Sequence, residues 1–183
     1  GFDVTWLPVQ PDGLVDLERF KEALRVDTVL VSVMAANNEI GVLQPLAAIG
    51  HTTRERGIVL HTDAAQAAGK IPFDVEQMQA DLVSLTAHKL YGPKGVGALY
   101  VRRRTELQPI LFGGGHELGL RSGTLNVPGI VGFGAAAALC LQEMVPEQQR
   151  LGTWRDRLNR GLHDQVDGIL VNGVDMIHWN ENG

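Results

Sequence analysis

Apolar and polar positions alternate along this chain in blocks that change period. A strand-like stretch from Phe2 to Leu7 comes first, and "LERFKEALR" then sets Leu17, Phe20 and Leu24 at helical spacing. The run "TVLVSVM" that follows is nearly continuous in apolar residues, as expected of a strand buried on both faces of a parallel sheet. A second helix is punctuated by Pro45 in its first turn and by Gly57 at its stop. "GIVLHTD" and "DLVSLTAHK" read as two more buried strands, and "VGALYVRR" alternates as a further one. Strand, helix and strand in this order, with crossovers of this length, predict a mostly parallel, doubly wound α/β sheet.

Beyond the sheet, the glycine-rich loop "FGGGHELGLRSGTLN" leads to a long apolar helix from about Pro128. Pro146 is expected to break that helix, and a polar one, "EQQRLGTWRDRLNRGLHDQV", to follow it. "GILVNG" reads as one more strand, and "VDMIHWNENG" closes the chain without an evident cap. No repeat or low-complexity segment interrupts the order.

Composition narrows the class. The chain has 183 residues, 44% hydrophobic and 20% charged, which is ordinary for a globular protein with one well-buried core. The net charge of -5 is spread along the sequence, so nothing points to nucleic acid; Arg102 to Arg104 read as a solvated strand end. A single cysteine, Cys140, excludes an internal disulfide and fits a reducing compartment, cytoplasmic or matrix-like. No apolar run approaches membrane-spanning length, and no signal-peptide order is visible. The histidines His61, His88 and His116 lack metal-ligand spacing, and His61 reads as a packed strand residue. "GPKGVG" lacks the spacing of a nucleoside-triphosphate loop.

In an open parallel sheet, ligands bind outside the carboxyl ends of the strands. The three strands run out into "AANNEIG", "HTDAAQAAG" and "TAHKLYG", which puts Asn38, Asp63, Gln66, His88 and Lys89 at one edge. Taken singly, Lys89 is an ordinary solvated lysine and Asp63 a turn cap. Taken together, a lysine that holds an aldehyde as a Schiff base and a carboxylate that keeps a pyridine nitrogen protonated are what a pyridoxal phosphate site needs. Burying the aspartate at a strand end would be costly unless a cation or donor answered it. Thr86, Thr124 and the backbone of the glycine-rich loops supply donors for a phosphate.

The motifs "NNEIGVLQP", "HTDAAQAAGKIP", "SLTAHKLYGPKGVGALYVRR" and "GGGHELGLRSGTLNVPGIVG" resemble, in order and spacing, the NifS/IscS-type cysteine desulfurases of the class V aminotransferase superfamily. The resemblance runs from about Leu7 to Gly134 and extends weakly to Gly173. It implies a fold type I transferase, with 1-145 belonging to a cofactor-binding large domain and 146-183 to a linker helix and the start of a small α+β domain. It implies that Lys89 carries pyridoxal 5'-phosphate and moves protons at the substrate Cα. Asp63 would meet the pyridine nitrogen, Gln66 the phenolic oxygen, and Thr86 (usually Ser in relatives) and His88 the phosphate. Thr124 would reach the phosphate of a neighbouring subunit in a homodimer, and Asn38 would lie near the phenolic oxygen and substrate carboxylate.

The implied reaction takes sulfur from L-cysteine, leaving alanine and an enzyme persulfide. That sulfur passes to an acceptor or scaffold protein of iron-sulfur cluster assembly or tRNA thiolation. The resembled proteins place their sulfur-accepting cysteine on a loop absent from this sequence, and Cys140 lies in the wrong segment to replace it. Their substrate-carboxylate arginine, N-terminal phosphate cup and ring-stacking histidine are also missing here. The isolated chain is therefore expected to turn over little or no cysteine. A selenocysteine lyase or another class V lyase or transaminase is the alternative within this fold, separable by selenide release from selenocysteine. A non-catalytic binding or scaffold module is the alternative of another class, and sustained turnover by the chain alone would exclude it.

Overall fold

A computed structural model describes residues 1–174, so the sequence expectation about the tail lies almost wholly outside the described residues. The first helix, α1 (Leu17–Ala23), starts where Asp16 accepts the backbone N–H groups of Glu18 and Arg19 at 2.9 and 3.1 Å. Its Phe20 is fully buried and anchors the core. Strand β1 (Leu30–Ser32) leads to α2 (Leu46–Glu55), then to β2 (Val59–Asp63). Pro45 serves as the N-cap of α2, and Gly57, at φ 67°, takes the left-handed turn that ends it.

Strand β3 (Leu82–Thr86) is followed by a single 3-10 turn, Ala87–Leu90, and by β4 (Gly97–Val101). The sheet is mixed and mostly parallel. Its order is β1-β2-β3-β4, with β1, β2 and β3 parallel and β4 antiparallel to β3. The α/β class read from the crossover spacing is thus present.

Register explains the two faces. Val31 pairs with Leu60, and Thr62 with Val83, so these buried residues share the face that packs on Phe20, Leu46 and Ile49. Ser32, His61, Asp63, Ser84 and Thr86 fall on the opposite face. Contrary to the expectation from "TVLVSVM", β1 is not buried on both faces, because Leu30 is 51% exposed beside a buried Val31. Among the described residues β1 is an edge strand, and one of its faces is uncovered.

Other expectations also change. Phe2 to Leu7 forms no strand; Phe2, Val4 and Trp6 are exposed, and no described strand pairs with them. "GILVNG" is irregular, since no ladder partner reaches it. Arg102 is no solvated strand end: its side chain is only 17% exposed, donating twice to Glu76 and to the carbonyls of Val75 and Ala80.

The last helix, α3 (Val127–Gln165), runs through Pro146 without breaking. Proline there removes one backbone bond, but Gln142, whose carbonyl it frees, is exposed to water. Asn126 caps the start by accepting the Gly129 N–H at 3.1 Å. Part of α3 is apolar enough, by length and composition alone, to cross a membrane, which the sequence reading did not anticipate. In the fold α3 lies against the 3-10 turn after β3.

That contact is made by small residues four apart. Gly132 faces Pro93, Ala136 faces Gly92, and Cys140 faces Gly69. A Cβ on Gly132 would come 2.5 Å from Pro93 Cγ, and one on Gly92 would come 3.1 Å from the Ala136 methyl. The helix can therefore approach this closely only because side chains are missing there.

Candidate functional site

The site is built from the parallel ends of β1, β2 and β3. The ladder continues past the strands, with Val33 N donating to His61 O at 3.1 Å and Ala35 N to Asp63 O at 2.8 Å. The three exits are thereby held side by side. Beneath them lies a layer of buried alanines (Ala35, Ala36, Ala64, Ala67 and Ala87), which fills the sheet edge with little volume and keeps the polar side chains above it.

Asp63 ends β2. Its Oδ1 accepts the Ala65 N–H at 2.8 Å, so the turn-cap reading is partly right, while among the described residues Oδ2 has no hydrogen-bond partner. Asp63 is exposed, contrary to the sequence expectation of a buried aspartate. No burial penalty therefore demands a cation beside it, and the case for the site rests on convergence alone.

Two residues of the helical turns after Asp63 face each other, because Lys70 Nζ donates to Gln66 Oε1 at 2.5 Å. Burial pushes the Lys70 amine below its ordinary value, and the charge of Lys89 pushes it the same way. Lys70 thus lies in the field of Lys89, which ties the turn after β2 to the turn after β3.

After β3, Thr86 Oγ1 and His88 Nδ1 are 2.9 Å apart. The bond leaves Nε2 of the imidazole for another partner. His88 and Lys89 are exposed on the 3-10 turn. The turn closes with Tyr91 in the left-handed region at φ 60°, and Gly92 N donates back to Ala87 O at 2.9 Å. A bulky residue at positive φ is strained, and here it stands two positions from Lys89. Gly92 and Pro93 then fix the exit through their contact with α3.

At the end of β1, the two asparagines of "NNEIG" divide the work. Asn37 shapes the turn, its Oδ1 accepting the N–H groups of Glu39 and Ile40 at 2.9 and 3.0 Å. Asn38 is exposed, with no side-chain hydrogen bond among the described residues. Thr124 lies in the loop before α3, also exposed, and among the described residues no hydrogen bond joins it to the strand ends.

One residue of this face had been read only as packing. His61 bridges three strands, with Nδ1 at 2.8 Å from Ser32 Oγ and Nε2 at 2.9 Å from Ser84 Oγ. Partial burial lowers its pKa, against the opposing pull of Asp63, which favours the neutral ring; a neutral ring donates one of these bonds and accepts the other. The period-2 pattern could have placed His61 on the face of Asp63, but nothing in the sequence pairs it with two serines 29 and 23 residues away.

At one sheet edge the chain thus presents the exposed amine of Lys89 and the carboxylate of Asp63, one oxygen of which is unpaired among the described residues, flanked by the Thr86–His88 pair and the amide of Gln66. Residues 1–177 match the aminotransferase class-V family, and the chain belongs to that family. Class V aminotransferases are pyridoxal phosphate-dependent. The chain is 57% identical over 175 residues to cysteine desulfurase IscS of Anaeromyxobacter sp. (strain Fw109-5), covering 94% of this chain and 43% of that protein. It is 55% identical over 175 residues to the mitochondrial cysteine desulfurase of Arabidopsis thaliana, covering 94% and 39%. The crystal structure of DndA from Streptomyces lividans superposes with a TM-score of 0.86 at 43% identity, covering 94% of this chain and 49% of that one. The chain thus spans less than half the length of these relatives.

Proposed function

We propose that this chain carries the cofactor-holding core of a pyridoxal phosphate-dependent cysteine desulfurase. The observation that supports this reading is the gathering of Lys89, Asp63, Gln66 and the Thr86–His88 pair on one edge, because these groups answer the four polar features of the cofactor. Among the described residues Lys89 has a free amine for the aldehyde, and Asp63 Oδ2 is open to a protonated ring nitrogen. Gln66, its oxygen engaged, keeps N–H donors for the phenolic oxygen. Thr86 and His88 offer a hydroxyl and a ring nitrogen to the phosphate.

Bound pyridoxal phosphate supplies the electron sink that makes the substrate Cα acidic. Within that chemistry Lys89 Nζ takes and returns the Cα proton. Asp63 keeps a positive charge on the ring by holding its proton in place. Asn38, exposed and unpaired among the described residues, is assigned to the substrate carboxylate and phenolic oxygen, and Thr124 to the phosphate of the other subunit of a homodimer. The substrate is L-cysteine, the products alanine and a persulfide sulfur handed to an acceptor protein of iron-sulfur cluster or tRNA thiolation chemistry. We assign 1-145 to the large domain and 146-183, of which 175-183 lie outside the described residues, to the linker helix and the start of a small domain, so that α3 would cross between them. We assign the protein to the cytoplasm, in keeping with its single cysteine.

The test is spectroscopic and chemical. The purified full-length protein with cofactor is expected to show the visible absorption band of a lysine-bound pyridoxal group, and Lys89→Ala to abolish it. Survival of the band in Lys89→Ala would refute the assignment of the lysine. Alanine and sulfide formed from cysteine, against selenide formed from selenocysteine, measure the substrate.

A further inference from the structure

Lys70 stands beside the proposed cofactor residues without belonging to them. It lies four residues beyond Gln66, past the turns in which Ala68 N donates to Ala64 O at 2.9 Å, Lys70 N to Ala67 O at 3.0 Å and Ile71 N to Ala67 O at 3.1 Å. Gly69 between them sits at φ 71°, so these turns, rather than a continuous helix, bring the two side chains together. Lys70 Nζ meets Gln66 Oε1 at 2.5 Å.

An ammonium group has three donors and no acceptor, so the amide atom it faces is the oxygen. A glutamine amide without such a neighbour has no fixed choice between its oxygen and its nitrogen. With Oε1 held, the two N–H donors of Gln66 turn outward. The phenolic oxygen of pyridoxal phosphate is an acceptor, and a reversed amide would set oxygen against oxygen.

The lysine is itself anchored. Gln148 of α3 donates to the Lys70 carbonyl at 2.6 Å. Gly69, just before it, is packed against Leu90 and Cys140 with no room for a side chain. Lowering of the Lys70 pKa by burial and by Lys89 agrees with a place at the site's rim rather than on a remote surface.

We propose that Lys70 is a positioning residue for the cofactor site, fixing the amide of Gln66 so that its N–H groups face the phenolic oxygen. The inference rests on the reading that Gln66 meets that oxygen, and it commits to Lys70 acting only through Gln66.

The experiment is a double-mutant cycle in the cofactor-loaded protein, with Lys70→Met, Lys70→Arg, Gln66→Ala and the Gln66→Ala/Lys70→Met pair. Two quantities are read, the position of the visible absorption band and the dissociation constant of pyridoxal phosphate by fluorescence titration. Lys70→Met is expected to weaken cofactor binding about fivefold, as for loss of one ordinary hydrogen bond, and to move the band in the direction given by Gln66→Ala. Lys70→Arg keeps the band, and the pair is no worse than Gln66→Ala alone. A shifted band in Gln66→Ala with an unmoved band in Lys70→Met, or additive effects in the pair, overturns the role of Lys70 and leaves that of Gln66 standing. An unmoved band in Gln66→Ala removes the reading of Gln66 and this inference with it.

Discussion

Asp81 closes both hydrogen-bonding groups of Leu60. Its Oδ2 accepts the Leu60 N–H at 2.9 Å, and its own N–H donates to the Leu60 carbonyl at 2.9 Å. Arg54 and Arg102 approach the second carboxylate oxygen at 3.4 and 3.6 Å. Leu60 has no exposure, so water has no path to the amide once the carboxylate is gone. Asp81→Ala is therefore expected to cost about 2 kcal/mol, the penalty of an orphaned buried donor. Urea unfolding should show a lower midpoint at unchanged slope. An unchanged midpoint would mean that the amide finds another partner.

Thr62 predicts the opposite sign. Its hydroxyl is fully buried on the core face of β2 and has no hydrogen-bond partner among the described residues. Thr62→Val keeps the shape and removes the unpaired group, so a gain of about 1 kcal/mol is expected. A thermal melt should rise by roughly 3 °C for a chain of this size.

His61 gives the fold a pH dependence. Its pKa is lowered from an ordinary 6.5 by burial, so the unfolded chain binds the proton more readily than the folded one. Stability from this group is complete above the unfolded value and declines as pH falls below it, towards the lower folded value. His61→Gln should flatten the fall in melting temperature between about pH 7 and pH 5 relative to the parent, within the range set by the ordinary value. Parallel curves for the two proteins would contradict the neutral ring.

Gly69 should be intolerant of any side chain. It sits at φ 71°, and an added Cβ would meet Leu90 and lie 2.8 Å from Cys140 Sγ. Gly69→Ala is expected to cost about 2–3 kcal/mol from strain and overpacking together. The same substitution at Gly57, equally left-handed but with open space around it, should cost about 1 kcal/mol from conformation alone. Comparing the two unfolding midpoints separates crowding from backbone strain.

The sheet and its edge were legible because buried strands write themselves as short apolar runs, and because parallel strands must end on one side. "GIVLHTD" and "DLVSLTAHK" carried that information in a handful of residues. What the sequence hid was long-range. Nothing local to Asp81 announces that it will cap Leu60, and Arg102 looked solvated because its partners Glu76 and Val75 lie more than 25 residues away. Pro146 misled for a different reason, since a helix can absorb a proline's lost bond where the freed carbonyl, here that of exposed Gln142, is open to water. The burial of Asp63 was inferred from its place in an apolar run, but Asp63 points to the uncovered face of the sheet while its neighbours Thr62 and Ala64 point to the core.

The close approach of α3 bears on how this chain could be re-engineered. Gly69, Gly92 and Gly132 are spacers behind the turns that carry the proposed site, and each is limited by clearance. A change at the exposed tip of Asn38 meets no such limit, whereas a single methyl added at Gly92 would displace the turn on which Lys89 rides. The steric room for substitution thus lies on the open side of the sheet edge.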